Sequence, residues 1–98
     1  MKIIWSPGAK SSFEELVMFL ERKWEPKVII KLFDELENSL QVIRQNPYLF
    51  PVISSKKQIR KCLIRNRTIL FFRINQKSNY IEIILLADGR VNPLKFKF

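Results

Sequence analysis

The stretch KKQIRKCLIRNRTILFFR, residues 56–73, decides how the rest of the chain is read. It holds Lys56, Lys57, Arg60, Lys61, Arg65, Arg67 and Arg73 without one acid, interleaved with Ile59, Leu63, Ile64, Ile69, Leu70, Phe71 and Phe72. The apolar members suit strands, and the pattern predicts two of them, over residues 58–65 and 67–74, joined tightly at Asn66. Alternation would put Thr68, Leu70, Phe72 and Ile74 on one side of the second strand. Arg67, Ile69, Phe71 and Arg73 would then face the other. A sheet holds its charges at fixed spacing, so this reads as a rigid cationic surface suited to an anionic partner.

Outward from this stretch the charge is segregated. Residues 1–37 carry seven acids against six bases, whereas residues 38–98 carry two acids against twelve bases. No Asp or Glu occurs between Glu37 and Glu82. Crowding like charges costs self-repulsion, which favours an anionic partner over a merely soluble basic domain. At 98 residues and 47% hydrophobic, the chain is expected to form one packed domain. A single cysteine excludes an internal disulfide, and without histidine no ordinary zinc cluster can be assembled. Cys62 falls in an apolar strand pattern and reads as a buried small hydrophobe. No apolar run approaches the ~18 residues of a membrane span. MKIIWSPGAK turns polar too early for a signal peptide, so a cytoplasmic protein with no cofactor, metal or membrane partner is the expectation.

Residues 2–5, KIIW, read as a first strand. Ser6-Pro7 then supplies a helix N-cap and a proline at the first helical position. Ala9, Phe13, Leu16, Val17, Leu20 and Trp24 recur three or four apart, predicting an amphipathic helix of about five turns. Glu25-Pro26 breaks it and starts another. The second helix carries Val28, Ile29, Leu32, Phe33, Leu36, Leu40 and Ile43 on one stripe and should stop before Asn46-Pro47. The Trp and Phe stripes read as core. Residues 47–55, PYLFPVISS, read as an ordered surface loop, and residues 75–79 as a polar hairpin turn. YIEIILLA, residues 80–87, suits a central strand buried on both faces. The tail DGRVNPLKFKF is punctuated by glycine and proline.

The expected fold is α+β, in the order β-α-α-β-β-β. A helical hairpin covers one face of a small, mainly antiparallel four-stranded sheet, with the first strand at an edge or in the centre. The second face has no helix to cover it, and the basic side chains would project there among exposed apolar neighbours.

In this order the chain resembles the RelE/ParE superfamily of bacterial toxins from type II toxin–antitoxin systems. The resemblance runs nearly end to end, as one domain over residues 1–98. It rests on the opening strand with Ser6-Pro7 and Ala9, Trp24, Asn46-Pro47 with Pro51, Ile59–Lys61, Phe71–Ile74, and DGRVNP at residues 88–93. That last motif is similar to the D-x-R-x-N-P ending of ParE-like members. The resemblance implies a toxin held in a hetero-oligomer by a cognate acidic antitoxin that covers the basic face.

Two targets follow from the resemblance. RelE-like members cleave ribosome-bound mRNA, which requires a base, a phosphate stabiliser and an acid. Arg60, Lys61, Arg73 and Arg90 could stabilise a phosphate, with Glu82 as the available base. However, there is no histidine, and the tail has Phe where a Tyr or His would be wanted. ParE-like members inhibit DNA gyrase by binding it and need no catalytic residue, which fits this sequence better. Arg60, Lys61, Arg65, Arg73 and Arg90 are the expected contacts to target or antitoxin. Ordinary roles compete with these. Lys56 and Lys57 fit a solvated turn, Arg65 and Arg67 flank a connection, and Arg60 could form a sheet-to-helix salt bridge. Glu82 fits a pair with an arginine better than a base, and Asp88 would fix Arg90 or the turn.

Overall fold

Ser6 begins the first helix as its residue type dictates: its Oγ accepts from the Ala9 N–H at 3.0 Å, with Pro7 following. The computed structural model describes residues 1–64 and 68–89. Its elements are β1 (Lys2–Trp5), α1 (Pro7–Lys23), α2 (Pro26–Gln45), a 3-10 turn (Pro47–Leu49), β2 (Val52–Ser54), β3 (Ile59–Ile64), β4 (Thr68–Asn75) and β5 (Tyr80–Asp88). One sheet runs in the order β1-β5-β4-β3-β2. β1 lies parallel to β5 at one edge, and every other pairing is antiparallel. The α+β class and the covering hairpin are as expected. The sheet has five strands rather than four, because Val52–Ser54, inside the expected loop, pairs with the start of β3. A three-residue edge strand behind Pro51 is too short to leave a period in the sequence.

Strand ends differ from the sequence pattern for local reasons. Gln58 has φ of 56°, in the left-handed region, and its side chain donates to the Ser55 carbonyl at 2.7 Å, so β3 starts at Ile59. The expected connection at Asn66 lies outside the described residues together with residues 65 and 67, as does the tail from residue 90. The polar turn after β4 forms as expected. Asn75 Oδ1 accepts from the Ser78 N–H at 2.9 Å, and Asn79 takes φ of 57°.

Both helices lie on one face, α1 over β5 and α2 over β3. Leu16, Leu32, Leu36, Leu40 and Ile43 are buried against Cys62, Ile64, Leu70, Phe72, Ile81, Ile83 and Leu86. Not all the aromatics join them. Trp5, Phe13 and Phe33 meet ring to ring, 5.6 and 5.7 Å between centroids, but Phe33 stays 40% exposed at the mouth of a furrow between the helices. Trp24, at the end of α1, is also exposed. The helices cover different halves of the sheet, so the stripe residues between them are not fully closed over.

The opposite face, hereafter the far face, was expected to leave its apolar residues exposed, and it does so only in part. Leu63 is 61% exposed, but Ile59, Phe71 and Ala87 are buried with Ile69, Ile84 and Leu85 around them. A β-bulge explains the grouping. Phe71 pairs with Leu85 and Phe72 with Ile83, so Ile84 is the extra residue, and both Ile84 and Leu85 join the far-face cluster. β5 is interior, with one face fully buried and the other half-buried.

β1 ends at Trp5, opposite Ile83, and beyond that point β5 has no strand on this side. Helix α1 takes over. The Ser6 N–H donates to the Ile83 carbonyl at 3.1 Å, and Ser6 Oγ donates to the Ile84 carbonyl at 3.4 Å. Ser12 Oγ donates to the Ala9 carbonyl at 2.9 Å and accepts from the Leu86 N–H at 3.0 Å. Two serines on the first turns of a helix thus complete the hydrogen bonding of a strand.

Cys62 is buried, and desolvation pushes its thiol above the ordinary 9.0, opposed by a hydrogen bond with Ser39. No described helix is long and apolar enough to cross a membrane.

Two outcomes are expected. Ser12→Ala strands the Leu86 N–H and should cost about 1–3 kcal/mol in urea unfolding, whereas Ser11→Ala, at an exposed position, should stay within about 0.5 kcal/mol. A thiol whose folded pKa is raised contributes stability that is present below its unfolded value and is lost as pH rises through the folded one. Part of the stability should therefore fade above pH 9.0, and Cys62→Ala should flatten that part of the decline in thermal melts from neutral to alkaline pH.

Candidate functional site

Alternation along β3 separates two residues that are neighbours in sequence. Lys61 pairs with Phe71, on the far face, whereas Arg60 pairs with Phe72, whose side chain is in the helix-side core. Arg60 and Lys61 therefore project from opposite faces. Arg73 pairs with Ile59 on one side and Glu82 on the other, which puts it on the far face with Lys61. The two cations are diagonal neighbours across β3 and β4, roughly 7 Å apart at their Cα atoms in such a pairing. Arg65 and Arg90 lie outside the described residues.

On the far face Arg73 Nη2 donates to Glu82 Oε1 at 2.7 Å. This is a direct cross-strand ion pair, with Arg73 45% and Glu82 28% exposed at their side chains. Glu82 thus has the arginine partner expected for it. Lys61 is half-buried opposite Phe71, its cross-strand partner. The far face is therefore a mixed surface: cations held above an apolar cluster, with Leu63 exposed at its side. Such a surface can bind an anion and bury apolar area together. Lys56 and Lys57 are exposed in the turn before β3, as expected.

On the helix side Arg60 forms no salt bridge to a helix among the described residues. Its Nη1 donates to the carbonyls of Phe50 at 2.7 Å and Tyr48 at 3.4 Å, and its guanidinium lies 5.3 Å from the centre of the Tyr48 ring. Gln76 Nε2 donates to the Tyr48 hydroxyl at 2.8 Å. Arg60, Tyr48, Gln58, Ile74 and Gln76 line a cavity of about 290 Å³. The sequence pointed to Arg60 but not to its companions. Tyr48 and Gln76 stand 28 positions apart, and no periodicity connects a loop tyrosine with a turn glutamine.

Catalytic groups are scarce here. Histidine is absent from the sequence, and the Tyr80 hydroxyl accepts from Asn75 Nδ2 at 3.1 Å. Among the described residues, no three His, Cys, Asp or Glu side chains converge as metal ligands.

This arrangement of two helices on one face of a mixed sheet is shared in fold with solved toxins of toxin–antitoxin pairs. The chain is similar in fold to a YoeB/ParE toxin from Agrobacterium tumefaciens, with TM-score 0.66 and 12% identity over 90% of this chain and 98% of that one. It is also similar to the toxin–antitoxin complex RelBE2 from Mycobacterium tuberculosis, with TM-score 0.59 and 12% identity over 89% and 95%. The YoeB–YefM complex from Staphylococcus aureus gives TM-score 0.57 and 18% identity over 89% and 94%. No curated protein matches the chain in sequence. A family model does match, over residues 3–93, and it describes the ParE toxin of the type II toxin–antitoxin system parDE. The chain belongs to this ParE toxin family.

The Arg73–Glu82 pair is half-exposed, so its contribution to stability should be small. A double-mutant cycle with Arg73→Ala and Glu82→Ala should give a coupling of about 0.2–1 kcal/mol by urea unfolding.

Proposed function

We propose that this protein is the growth-arresting toxin of a type II toxin–antitoxin pair, and that it acts by binding and inhibiting DNA gyrase through the far face of its sheet. A cognate acidic antitoxin neutralises it in a hetero-oligomer, and both act in the cytoplasm. The observation that carries this reading is the state of Glu82. The far face offers a carboxylate already bonded to Arg73 at 2.7 Å, in a chain without histidine. Strand cleavage of RNA needs a proton acceptor and a proton donor as well as cations at the phosphate. Lys61 and Arg73 meet the last need, and a binding inhibitor needs no more. Cations over a partly exposed apolar cluster also suit a protein surface, where electrostatics speeds encounter and apolar burial retains the partner.

Ribosome-dependent mRNA cleavage is the rival reading, and it draws on the same pair. Glu82 keeps 28% exposure beside Arg73, a geometry in which the arginine could hold a phosphate and the carboxylate accept a proton. Lys61, on the same face, would be a further cation; Arg60 projects from the other face, and Arg90, also expected from the sequence, lies outside the described residues.

Induced expression without an antitoxin should arrest growth, and purified protein should inhibit gyrase supercoiling. The double reversal Lys61→Glu with Arg73→Glu should weaken that inhibition by about tenfold or more, the consequence of losing at least ~1.4 kcal/mol of binding. Glu82→Gln separates the readings: a nuclease using Glu82 as base would lose about 10²–10⁴ in rate, and a gyrase binder would keep most of its inhibition. Cuts in ribosome-bound mRNA with supercoiling untouched would overturn the gyrase assignment.

A further inference from the structure

We propose that the cavity beside Arg60, on the helix side of the sheet, is a receptor for a single carboxylate side chain presented by an acidic protein partner. That this partner is the antitoxin rests on the function proposed above. The preference of the cavity for a carboxylate does not.

Arg60 is half-buried and has no acidic partner among the described residues. The stretch from residue 38 to residue 81 contains no acid that could supply one. Its position is nonetheless fixed. Nη1 is bonded to the Phe50 and Tyr48 carbonyls, the guanidinium lies over the Tyr48 ring, and that ring is held through its hydroxyl by Gln76. Among the described residues only Nη1 is engaged, which leaves the donors of Nε and Nη2. A guanidinium fork oriented in advance loses little freedom when it grips a carboxylate, and the resulting hydrogen bonds are charge-assisted. Partial burial raises the value of such a partner, because water screens and solvates the charge less.

The shape of the cavity selects among anions. At about 290 Å³ it admits the end of a side chain and not a nucleotide strand. Ile74 and the Tyr48 ring are apolar lining for a methylene stem. Gln58 and Gln76 each donate one amide N–H, to the Ser55 carbonyl and the Tyr48 hydroxyl respectively, and retain a second neutral N–H. Among the described residues, Arg60 is the one cation lining it, while Lys61 and Arg73 leave from the opposite face. A nucleic-acid backbone gains its affinity from successive phosphates meeting successive cations, which this cavity does not provide. One carboxylate on a short apolar stem matches it.

The test uses the whole labelled toxin and three probes: N-acetyl-glutamate N′-methylamide, its glutamine counterpart, and dimethyl phosphate as a stand-in for a backbone phosphate. Nitrogen-15 NMR follows the Arg60 Nε–H and the Gln58 and Gln76 side-chain amides. The glutamate probe should shift all three saturably, about tenfold tighter than either of the others. Arg60→Gln should abolish the shifts at both glutamines. Gln76→Leu, at an exposed position that leaves Arg60 bonded to Phe50, should keep the native spectrum and weaken binding severalfold. Equal binding of the glutamine probe, tighter binding of dimethyl phosphate, or shifts confined to the far-face cations would overturn the proposal. A protein that takes the glutamate probe but fails to arrest growth keeps the receptor and loses the toxin reading. Growth arrest without selective glutamate binding does the reverse.

Discussion

The structure depends on how the backbone of β5 is satisfied beyond Ile83. A strand interior to a sheet needs partners along both edges, and β1 supplies them only as far as Trp5. The oxygens of Ser6 and Ser12 complete the edge, bonding the Ile84 carbonyl and the Leu86 N–H. The same contacts place α1 on the sheet and hold the bulge at Ile84, where β5 changes its alternation. Below the bulge Ile81 and Ile83 face the helices; above it Leu86 does, and Ile84 with Leu85 turn to the other side. Without the extra residue, the upper half of β5 would present the wrong side chains to the core.

From that register follows the placement of charge. β4 is paired to β5 and β3 to β4, so the alternation propagated across the sheet decides which cations share a face. Arg73 and Lys61 come together over an apolar cluster, with Glu82 bonded to the arginine. Arg60 goes to the other side, where backbone carbonyls and an aromatic ring receive it. What looks in sequence like one basic patch becomes two sites of different chemistry. The far face is broad, multivalent and partly apolar; the Arg60 cavity is small and, among the described residues, singly charged. A partner that engaged both would have to reach around the edge formed by β2.

Much of this was legible in the residues. Ser6-Pro7, Glu25-Pro26 and Asn46-Pro47 mark the helix limits, because proline is favoured at a first helical turn and disfavours helix in the residue before it. The buried positions Ile29, Leu32, Leu36, Leu40 and Ile43 were read from their helical spacing, and the turn at residues 75–79 from its polar composition. The less legible features are those without a period. β2 is three residues long, Gln58 leaves the strand through a left-handed φ, and the bulge at Ile84 sits within an unbroken apolar run. Phe33 falls on the core stripe and still stands open, since a stripe specifies direction and not how closely the neighbouring helix approaches.

By itself the sequence determined the class of fold, the covering helical hairpin, the acid-free cationic strands and the candidate residues Arg60, Lys61, Arg73 and Glu82. These rest on local preferences and on patterns that repeat within a single element. Tertiary structure alone decided which of them meet. Strand register joined Arg73 to Glu82 across β4 and β5, and the return of the chain after α2 brought Tyr48 under Arg60 and against Gln76. Those contacts link residues from separate elements, and their geometry is set by the packing of the whole sheet rather than by any spacing along the chain.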